Sequence, residues 1–298
     1  MSELPTSIDD ALQRARRLGV DRLDAHLLVG AVLQQPRSWL LAHDRDPLPP
    51  DAAERIHALL QRRAAGEPAA YLLGHKEFFG LTLAVNPDVL VPRPDTETLV
   101  HWALEVLAQP PSHTAAPRVL DLGTGSGAIA LAVAHTHPQA QVTAVDASEG
   151  ALRTARLNGE RLGLAVAWRL GSWFEPVAGE RFDLILSNPP YIAEHDPHLP
   201  DLRFEPRSAL TAGADGLSDL RRIIDQAPEH LQAGGWLLLE HGWDQADAVA
   251  QLLRDRGFLG VAHRHDLGGH ARCTGAQWAP CRAGTLSGRD ALNSGYEP

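Results

Sequence analysis

The stretch VLDLGTGSGAIALAV, residues 119–133, decides the fold of this chain. A short apolar run is followed by glycines at alternate positions, Gly123, Gly125 and Gly127, and then by an alanine-rich apolar segment. This order predicts a buried strand, a tight turn and a helix. Because glycine has no Cβ, the turn lets the backbone approach a flat or anionic ligand at the helix N-terminus. An ordinary strand-to-helix turn without a ligand fits the same pattern.

Apolar strands and amphipathic helices alternate after this stretch. The predicted strands are residues 118–123, 141–148, 167–173, 182–188 and 235–242, and the helices between them are residues 128–136, 150–163 and 217–231. A last helix over residues 244–257 precedes weaker strand patterns near Val261 and at residues 273–278. The alternation predicts an α/β domain with a parallel, doubly wound, Rossmann-like sheet.

The first 74 residues predict a small bundle of short helices. Ser7 with Asp10 three residues later predicts a helix N-cap, and Gly19 and Gly66 predict helix ends. A buried apolar stripe is predicted on the second helix at Leu23, Leu27, Leu28 and Val32.

Residues 75–97 differ in pattern and predict a hairpin linker. The alternation over residues 81–85, the turn sequence Asn86-Pro87-Asp88 and the extended residues 89–91 place its strands, and Asp95 or Thr96 can cap the next helix. We therefore expect a helical domain at 1–74, a linker at 75–97, a catalytic domain at 98–280 and a mobile tail at 281–298. A surface loop is predicted over residues 108–117.

Composition and charge exclude several classes of protein. No apolar run is long enough for a membrane span, and the acidic start is unlike a signal peptide, so we expect a cytoplasmic chain. Cys273 and Cys281 are too few for a disulfide framework. The net charge of −10 argues against a nucleic-acid substrate. The 15 histidines match no ligand spacing, so no metal site is predicted.

Asp146 raises the expectation of a nucleoside cofactor. It ends the second predicted strand, about 20 residues after the glycine loop, where an acidic side chain accepts hydrogen bonds from ribose hydroxyls. Capping of the next helix is the alternative role. The loop lacks the glycine spacing of dinucleotide folds and has no Gly-Lys-Ser/Thr, which leaves S-adenosylmethionine as the cofactor that fits.

The sequence LILSNPPY, residues 184–191, supplies a second constellation. Proline cannot continue a sheet ladder, so the strand ends at Asn188, where ligands bind in α/β proteins. Asn188 and Pro189 each precede a proline and are therefore held extended. The Asn188 side-chain carbonyl and the Pro189 backbone carbonyl could each accept one N–H of an NH2 group, turning its lone pair toward a methyl donor. An ordinary turn is the alternative.

Tyr191 adds an aromatic ring that could lie against a planar amide or a sulfonium cation. A general base is not needed before methyl transfer, since the nitrogen becomes acidic only as the new bond forms. The pattern therefore predicts an enzyme that methylates an NH2 group.

Together these residues make the chain resemble the PrmC/HemK family of release-factor glutamine methyltransferases. The resemblance runs from the N-terminal helices to about Trp278 and includes GEPAAYLLGHKEFFG, LVPRPDTETLV, VLDLGTGSGAIALA, SNPPYI, RFEPRSAL and GGWLLLEHG. It implies a class I S-adenosylmethionine-dependent methyltransferase fold. It also implies methylation of the glutamine amide in the Gly-Gly-Gln motif of peptide chain release factors, which would be the protein partners. Separately, we expect the chain to act as a monomer.

The resemblance also implies roles for individual residues. Those expected to bind the cofactor are Gly123, Thr124, Gly125, Ser126, Gly127, Asp146, Trp173 and Asn188. Those expected to bind the substrate amide are Asn188, Pro189, Pro190 and Tyr191, of which Asn188, Pro189 and Tyr191 are expected to be catalytic. The segments PRPDTE and RFEPRSAL are expected to flank the pocket mouth. Independently of the resemblance, Glu240 and His241 end a predicted strand and could line the cleft, although a structural role is the favoured interpretation.

Two rival functions remain open at this point. An adenine or cytosine amino methyltransferase acting on nucleic acid could use the same pair of hydrogen-bond acceptors, but it would need a basic groove and a base-reading module. A non-enzymatic protein that binds S-adenosylmethionine would not need Asn188 and both prolines.

Overall fold

The computed structural model describes residues 4–108 and 116–279. Most of the predicted surface loop at 108–117, the predicted tail at 281–298 and Cys281 lie outside the described residues.

The N-terminal helices form a bundle with its own apolar core. Ser7 caps the first helix, its Oγ accepting a hydrogen bond of 3.2 Å from the Asp10 backbone N–H, as predicted. Ile8, Leu28 and Ile56 are buried in the bundle core. The helices are α1 (Ile8–Arg17), α2 (Arg22–Leu33), α3 (Arg37–Ala42), α4 (Pro50–Ala64) and α5 (Ala69–Leu73).

The predicted buried stripe on α2 was half wrong. Leu28 is fully buried, but Leu23 is 55% and Leu27 is 46% exposed. The residues that share the core with Leu28 are Ala25 and Val29. Because α2 carries apolar residues around most of its circumference, the helical period alone could not select the face that packs.

The linker contains a hairpin, but its strands were misplaced in the prediction. Strand β1 (His75–Phe78) pairs antiparallel with β2 (Leu81–Ala84). Phe79 and Gly80 make the turn, with φ of 50° and 76°. Two consecutive positive φ values suit a tight hairpin, which a phenylalanine rarely allows, so the sequence pattern pointed to Asn86–Asp88 instead. Residues 89–91 form no strand.

The catalytic region is a seven-stranded sheet with helices on both faces. The strand order is β5-β4-β3-β6-β7-β9-β8. Its strands are β3 (Arg118–Leu122), β4 (Gln141–Asp146), β5 (Ala167–Leu170), β6 (Phe182–Ser187), β7 (Leu231–Glu240), β8 (Leu259–His265) and β9 (Ala271–Gln277). Its helices are α6 (Glu97–Ala108), α7 (Ala128–Thr136), α8 (Glu149–Leu162), α9 (Ser218–His230) and α10 (Ala246–Arg256).

The doubly wound architecture is confirmed, but the sheet is not wholly parallel. Strands β3 to β7 pair in parallel, whereas β9 pairs antiparallel with both β7 and β8. The short connection between β8 and β9 allows only an antiparallel hairpin, because a parallel pair needs a long crossover.

Different helices cover the two faces of the sheet. Val119 and Leu184 point to the face covered by α6 and α7, and Leu120 and Ile185 point to the opposite face, covered by α9 and α10. Each such fully buried side chain stabilises the fold by about 1.5–3 kcal/mol. These packed faces fix the ends of β3, β4 and β6.

The chain reverses direction of winding between β3 and β6. Strands β4 and β5 extend to one side of β3, and β6 and β7 extend to the other. In such sheets a crevice opens at the carboxyl ends of the two central strands, which is where ligands bind.

Candidate functional site

A cavity of about 460 Å³ opens at the carboxyl ends of β3, β4 and β6. The volume falls within the range of about 300–1000 Å³ for small-molecule sites. The predicted residues that line it are Gly123, Thr124, Gly125, Ser126, Asp146, Trp173, Asn188 and Pro190. Gly127, Pro189 and Tyr191 are not part of the lining.

The glycine loop brings bare backbone to the cavity. Gly123 and Gly125 have φ of 71° and 56°, a conformation that favours glycine. A Cβ at Gly123 would come within 3.4 Å of the Trp173 ring, whereas a Cβ at Gly125 would meet no atom within 4 Å. The open space beside Gly125 is the cavity itself, so a side chain here would take room from a ligand.

Gly127 serves packing rather than the cavity wall. A Cβ at this position would lie 3.1 Å from atoms of both Leu131 and Trp168. The absence of a side chain lets the start of α7 approach α8 and β5. The structure therefore gives Gly127 a different role from the predicted cofactor contact.

Asp146 holds the glycine loop and faces the cavity. Its Oδ2 accepts a hydrogen bond of 2.8 Å from the Gly125 backbone N–H, and its Oδ1 accepts one of 2.8 Å from the Ser148 N–H. Burial raises the pKa of this carboxyl, and the backbone hydrogen bonds counteract the rise. Each oxygen has a further lone pair, so the carboxylate can also accept hydrogen bonds from ligand hydroxyls.

Trp173 forms an aromatic wall of the cavity. Its backbone lies at φ 48°, which costs a residue other than glycine about 1–3 kcal/mol. The ring lies close enough to Asp219 to lower the pKa of that carboxyl, which also lines the cavity and was not predicted. The neighbouring Gly123 leaves the space in which the ring lies beside the glycine loop.

Two buried polar residues support the loop from behind, and neither was predicted from the sequence. Asp121 Oδ2 accepts hydrogen bonds from Thr124 Oγ1 at 2.6 Å and from the Ala130 N–H at 3.2 Å. Burial raises the pKa of Asp121 to about 7. Asn158 donates through Nδ2 to the carbonyls of Ser126 and Ala84, tying the loop to the hairpin.

Asn188 stands at the other side of the cavity, directly after β6. Its Nδ2 donates a hydrogen bond of 3.2 Å to Thr96 Oγ1. Within the described part of the chain, no group donates to Asn188 Oδ1 or to the Pro189 carbonyl. Both predicted acceptors are therefore free of internal partners.

Tyr191 is not among the residues that line the cavity, and its contact with the substrate amide stays a prediction. The side chain packs against the core on the α9 and α10 face, and the backbone carbonyl accepts a hydrogen bond of 3.0 Å from Gln245 Nε2. Burial, and secondarily the charge of Glu240, raise the pKa of the phenol. Its observed contacts anchor the loop that follows the two prolines.

The two segments expected to flank the pocket mouth do line the cavity. Pro92, Arg93 and Thr96 come from the first segment, and Pro206 and Ser208 come from the second. Arg93 forms an ion pair with the buried carboxylate of Glu205, which also accepts a hydrogen bond of 3.0 Å from the Val91 N–H. The ion pair joins the two segments.

The helical bundle is joined to the same region. The Arg203 guanidinium donates to the carbonyl of Ala65 at the end of α4, and Tyr71 Oη donates to the Val89 carbonyl at 2.5 Å. The bundle thus borders the segments that form the cavity mouth.

The described residues contain no group of three or more His, Cys, Asp or Glu side chains that could hold a metal ion. Within the same residues, no helix combines the length and the apolar character that crossing a membrane requires.

Comparison with known families gives two matches along the chain. Residues 6–74 match the PrmC N-terminal domain, and residues 100–200 match the methyltransferase small domain. A release factor glutamine methyltransferase of Bordetella pertussis is 54% identical over 86% of this chain and 95% of its own length. One of Pseudomonas aeruginosa is 52% identical over 87% of this chain and 93% of its own length.

A solved structure supports the fold. A methyltransferase from Pyrococcus furiosus superimposes with a TM-score of 0.52 at 20% identity, covering 74% of this chain and all of that chain. This likeness concerns the fold, which is that of class I methyltransferases.

Proposed function

This chain belongs to the release factor glutamine methyltransferase family, and on that premise we propose that it methylates the side-chain amide nitrogen of the Gly-Gly-Gln glutamine in class I peptide chain release factors. The chain is an enzyme of the methyltransferase class. We propose a cytoplasmic location, because the proposed substrate is a translation factor. We also propose a monomer, because one chain carries every residue assigned to the site.

The proposed methyl donor is S-adenosylmethionine, which supplies an electrophilic methyl group on a sulfonium. The residues that would hold it are those around the glycine loop. The open space beside Gly125 suits a flat ligand, Asp146 can accept from ribose hydroxyls, and Trp173 can pack on an adenine ring. The cavity is wide enough for the cofactor and lacks clustered positive charge for a phosphate.

The other side of the cavity would prepare the acceptor. A primary amide is a poor nucleophile because its nitrogen lone pair is delocalised into the carbonyl. Asn188 Oδ1 and the Pro189 carbonyl would each accept one N–H, which directs the lone pair toward the methyl group. The two acceptors would thereby aim the nitrogen at the methyl group that S-adenosylmethionine would supply, with S-adenosylhomocysteine as the leaving group, and the methylated nitrogen would lose one proton to water. Preorganised acceptors stabilise the positive charge that develops on the N–H groups.

We propose that the helical bundle at residues 1–74 contacts the release factor. The bundle borders the mouth of the cavity through Arg203 and Tyr71. A protein substrate that inserts a loop into the cavity would extend over this surface, whereas a small free amide would not.

The free acceptor pair at Asn188 and Pro189, beside the cavity, is the observation that carries the proposal. The test offers purified release factor, transfer RNA and DNA side by side with labelled S-adenosylmethionine. We expect labelling of the release factor alone, and no labelling of a release factor whose Gly-Gly-Gln glutamine is replaced by alanine. Labelled nucleic acid with unlabelled release factor would support the rival amino methyltransferase, which family membership and the net charge of −10 do not favour.

A further inference from the structure

Glu240 is a buried acid beside the acceptor site. The register of the sheet pairs Ser187 of β6 with Leu239 of β7, so Asn188 and Glu240 are the next residues on the two neighbouring strands. Glu240 is only 1% exposed. Among the described residues nothing donates a hydrogen bond to its Oε2, which is buried. Burying a carboxyl in this state is costly, so a well-packed core offers no reason for it.

Thr96 connects this acid with Asn188. The Thr96 side chain is buried and its Oγ1 accepts the 3.2 Å hydrogen bond from Asn188 Nδ2. The side chains of Thr96 and Asn188 also lie close enough to the Glu240 carboxyl to lower its pKa. Three polar groups from distant parts of the chain thus meet at the cavity wall, which Thr96 and Asn188 line and Glu240 does not.

The chemistry of these groups sets the direction of the hydrogen bonds. An ionised carboxylate can only accept, and a hydroxyl has a single proton to donate. If Thr96 donates that proton to Glu240, it can only accept from Asn188. The group that Asn188 turns toward Thr96 must then be its NH2, which leaves Oδ1 for the cavity side.

We infer that Glu240 is a positioning residue that acts through Thr96 to hold the Asn188 amide with Oδ1 toward the substrate. The inference rests on the proposed function, because the orientation of Oδ1 matters only if it receives an N–H of the substrate amide. Glu240 touches no substrate in this arrangement, and its effect is exerted on Asn188.

The state of Glu240 should therefore govern the rate. Burial raises the pKa of this carboxyl to about 7; hydrogen bonding by Thr96 and Asn188 and the charge of Arg272 lower it, and Asp95 raises it. Tyr191 and Cys273 face the same carboxyl and have raised pKa values themselves. A protonated Glu240 could donate to Thr96, whose proton could then turn toward Asn188 and favour the flipped amide. The rate should rise as the pH rises through about 7.

The test begins with Glu240→Gln, whose NH2 can donate to Thr96. We expect kcat on release factor to fall about 10- to 100-fold, as for other misplaced reacting groups, with KM for S-adenosylmethionine unchanged within about twofold. The rise in wild-type kcat near pH 7 should disappear in the variant. Thr96→Val should reproduce the loss of kcat, and Thr96→Ser, which keeps the hydroxyl, should restore it.

A double variant tests whether Glu240 acts through Asn188. In an Asn188→Ala background, Glu240→Gln should cause no further loss, because no amide remains to be oriented. Asp121→Asn is the matched control, since Asp121 is also fully buried with a pKa raised to about 7 but supports the cofactor loop. Its effect should multiply with that of Asn188→Ala and appear in KM for S-adenosylmethionine.

The outcomes separate this inference from the proposed function. A wild-type protein that leaves the glutamine unmethylated overturns the function. Wild-type activity combined with normal kcat in both Glu240→Gln and Thr96→Val overturns the inference alone. If Glu240→Gln does not fold, as judged by thermal unfolding, the two Thr96 variants test the inference. A loss of kcat in Thr96→Val that Thr96→Ser restores supports it, and equal kcat in the two variants overturns it.

Discussion

The two sides of the cavity are built differently. The cofactor side follows three strands, β3, β4 and β5, whose ends carry Gly125, Asp146 and Trp173 in chain order. The acceptor side joins Thr96, Asn188 and Glu240, and Thr96 lies 92 residues before the Asn188 to which it is hydrogen-bonded. The cofactor side is thus held mainly by carboxylates that accept hydrogen bonds from nearby backbone N–H groups, and the acceptor side by side chains from three separate segments.

This difference separates the residues that govern cofactor affinity from those that govern turnover. Each side has one fully buried carboxyl, Asp121 or Glu240, whose pKa is raised to about 7 mainly by burial. Asp121 stabilises a loop, and Glu240 stabilises the orientation of a single amide. Changes on the cofactor side should therefore alter cofactor affinity, and changes on the acceptor side should alter turnover.

The largest effect is expected from Asn188→Ala. Loss of one preorganised polar group at a reacting centre typically lowers kcat about 100- to 1000-fold. The dissociation constant of S-adenosylmethionine, measured by calorimetry, should change by no more than a few fold. Two results for Asn188→Ala would contradict the functional difference between the two sides. One is unchanged turnover of release factor, and the other is a large loss of cofactor affinity with normal turnover at saturating cofactor.

Asp146→Asn should show the opposite behaviour. Its new NH2 cannot accept from the Gly125 or Ser148 N–H, and hydrogen bonds to charged groups are worth about 1.5–3 kcal/mol. The dissociation constant should rise roughly 10- to 100-fold, since 1.4 kcal/mol is a factor of 10, while kcat at saturating cofactor changes little.

Asp183→Asn is the matched control for that variant. Asp183 also accepts a backbone hydrogen bond, from the Arg118 N–H at 2.8 Å, but it lies near the amino end of β6, away from the cavity. Its cofactor affinity should equal that of the wild type. Equal losses in both variants would indicate a general destabilisation.

Trp173→Leu should have a smaller effect on cofactor affinity. An aromatic contact is worth about 0.5–1.5 kcal/mol beyond its buried area, so we expect the dissociation constant to rise several-fold. Trp39→Leu, which removes a half-buried tryptophan stacked on His43 in the helical bundle, serves as the control and should bind cofactor normally. A normal dissociation constant for Trp173→Leu would show that the Trp173 ring does not contribute to cofactor binding.

The last prediction concerns stability against pH. Asp121 and Glu240 have folded-state pKa values raised to about 7, so between about pH 4.5 and 7 the folded state binds protons that the unfolded state has lost. Their contribution to the free energy of unfolding therefore falls as the pH rises through this window. Denaturant unfolding of Asp121→Asn and Glu240→Gln should show a weaker decline than the wild type. A parallel decline in all three proteins would contradict the raised pKa values.

The cofactor side could be predicted from the sequence because its signals are local. Glycines at fixed spacing after an apolar strand, and an aspartate at the end of the next strand, need no knowledge of distant contacts. Such local signals do not separate a ligand contact from a packing requirement. Gly127 was assigned to the cofactor because its neighbours are, yet Leu131 and Trp168 explain its lack of a side chain.

The acceptor side was predicted only in part. The prolines after β6 identified Asn188, but the role of Thr96 depends on a contact across 92 residues. Glu240 ends an apolar strand, where a structural role is a reasonable interpretation, and only the register of β6 with β7 brings it beside Asn188. The hairpin error has a similar origin, since the positive φ of Phe79 is set by tertiary contacts.

The most direct test is a crystal structure of the protein with S-adenosylhomocysteine and a peptide that contains Gly-Gly-Gln. We predict that the glutamine amide nitrogen lies within hydrogen-bond distance of both Asn188 Oδ1 and the Pro189 carbonyl. We also predict that Asn188 Nδ2 keeps its hydrogen bond to Thr96 Oγ1. A glutamine amide bound elsewhere, or an Asn188 side chain flipped so that Nδ2 faces the peptide, would contradict it.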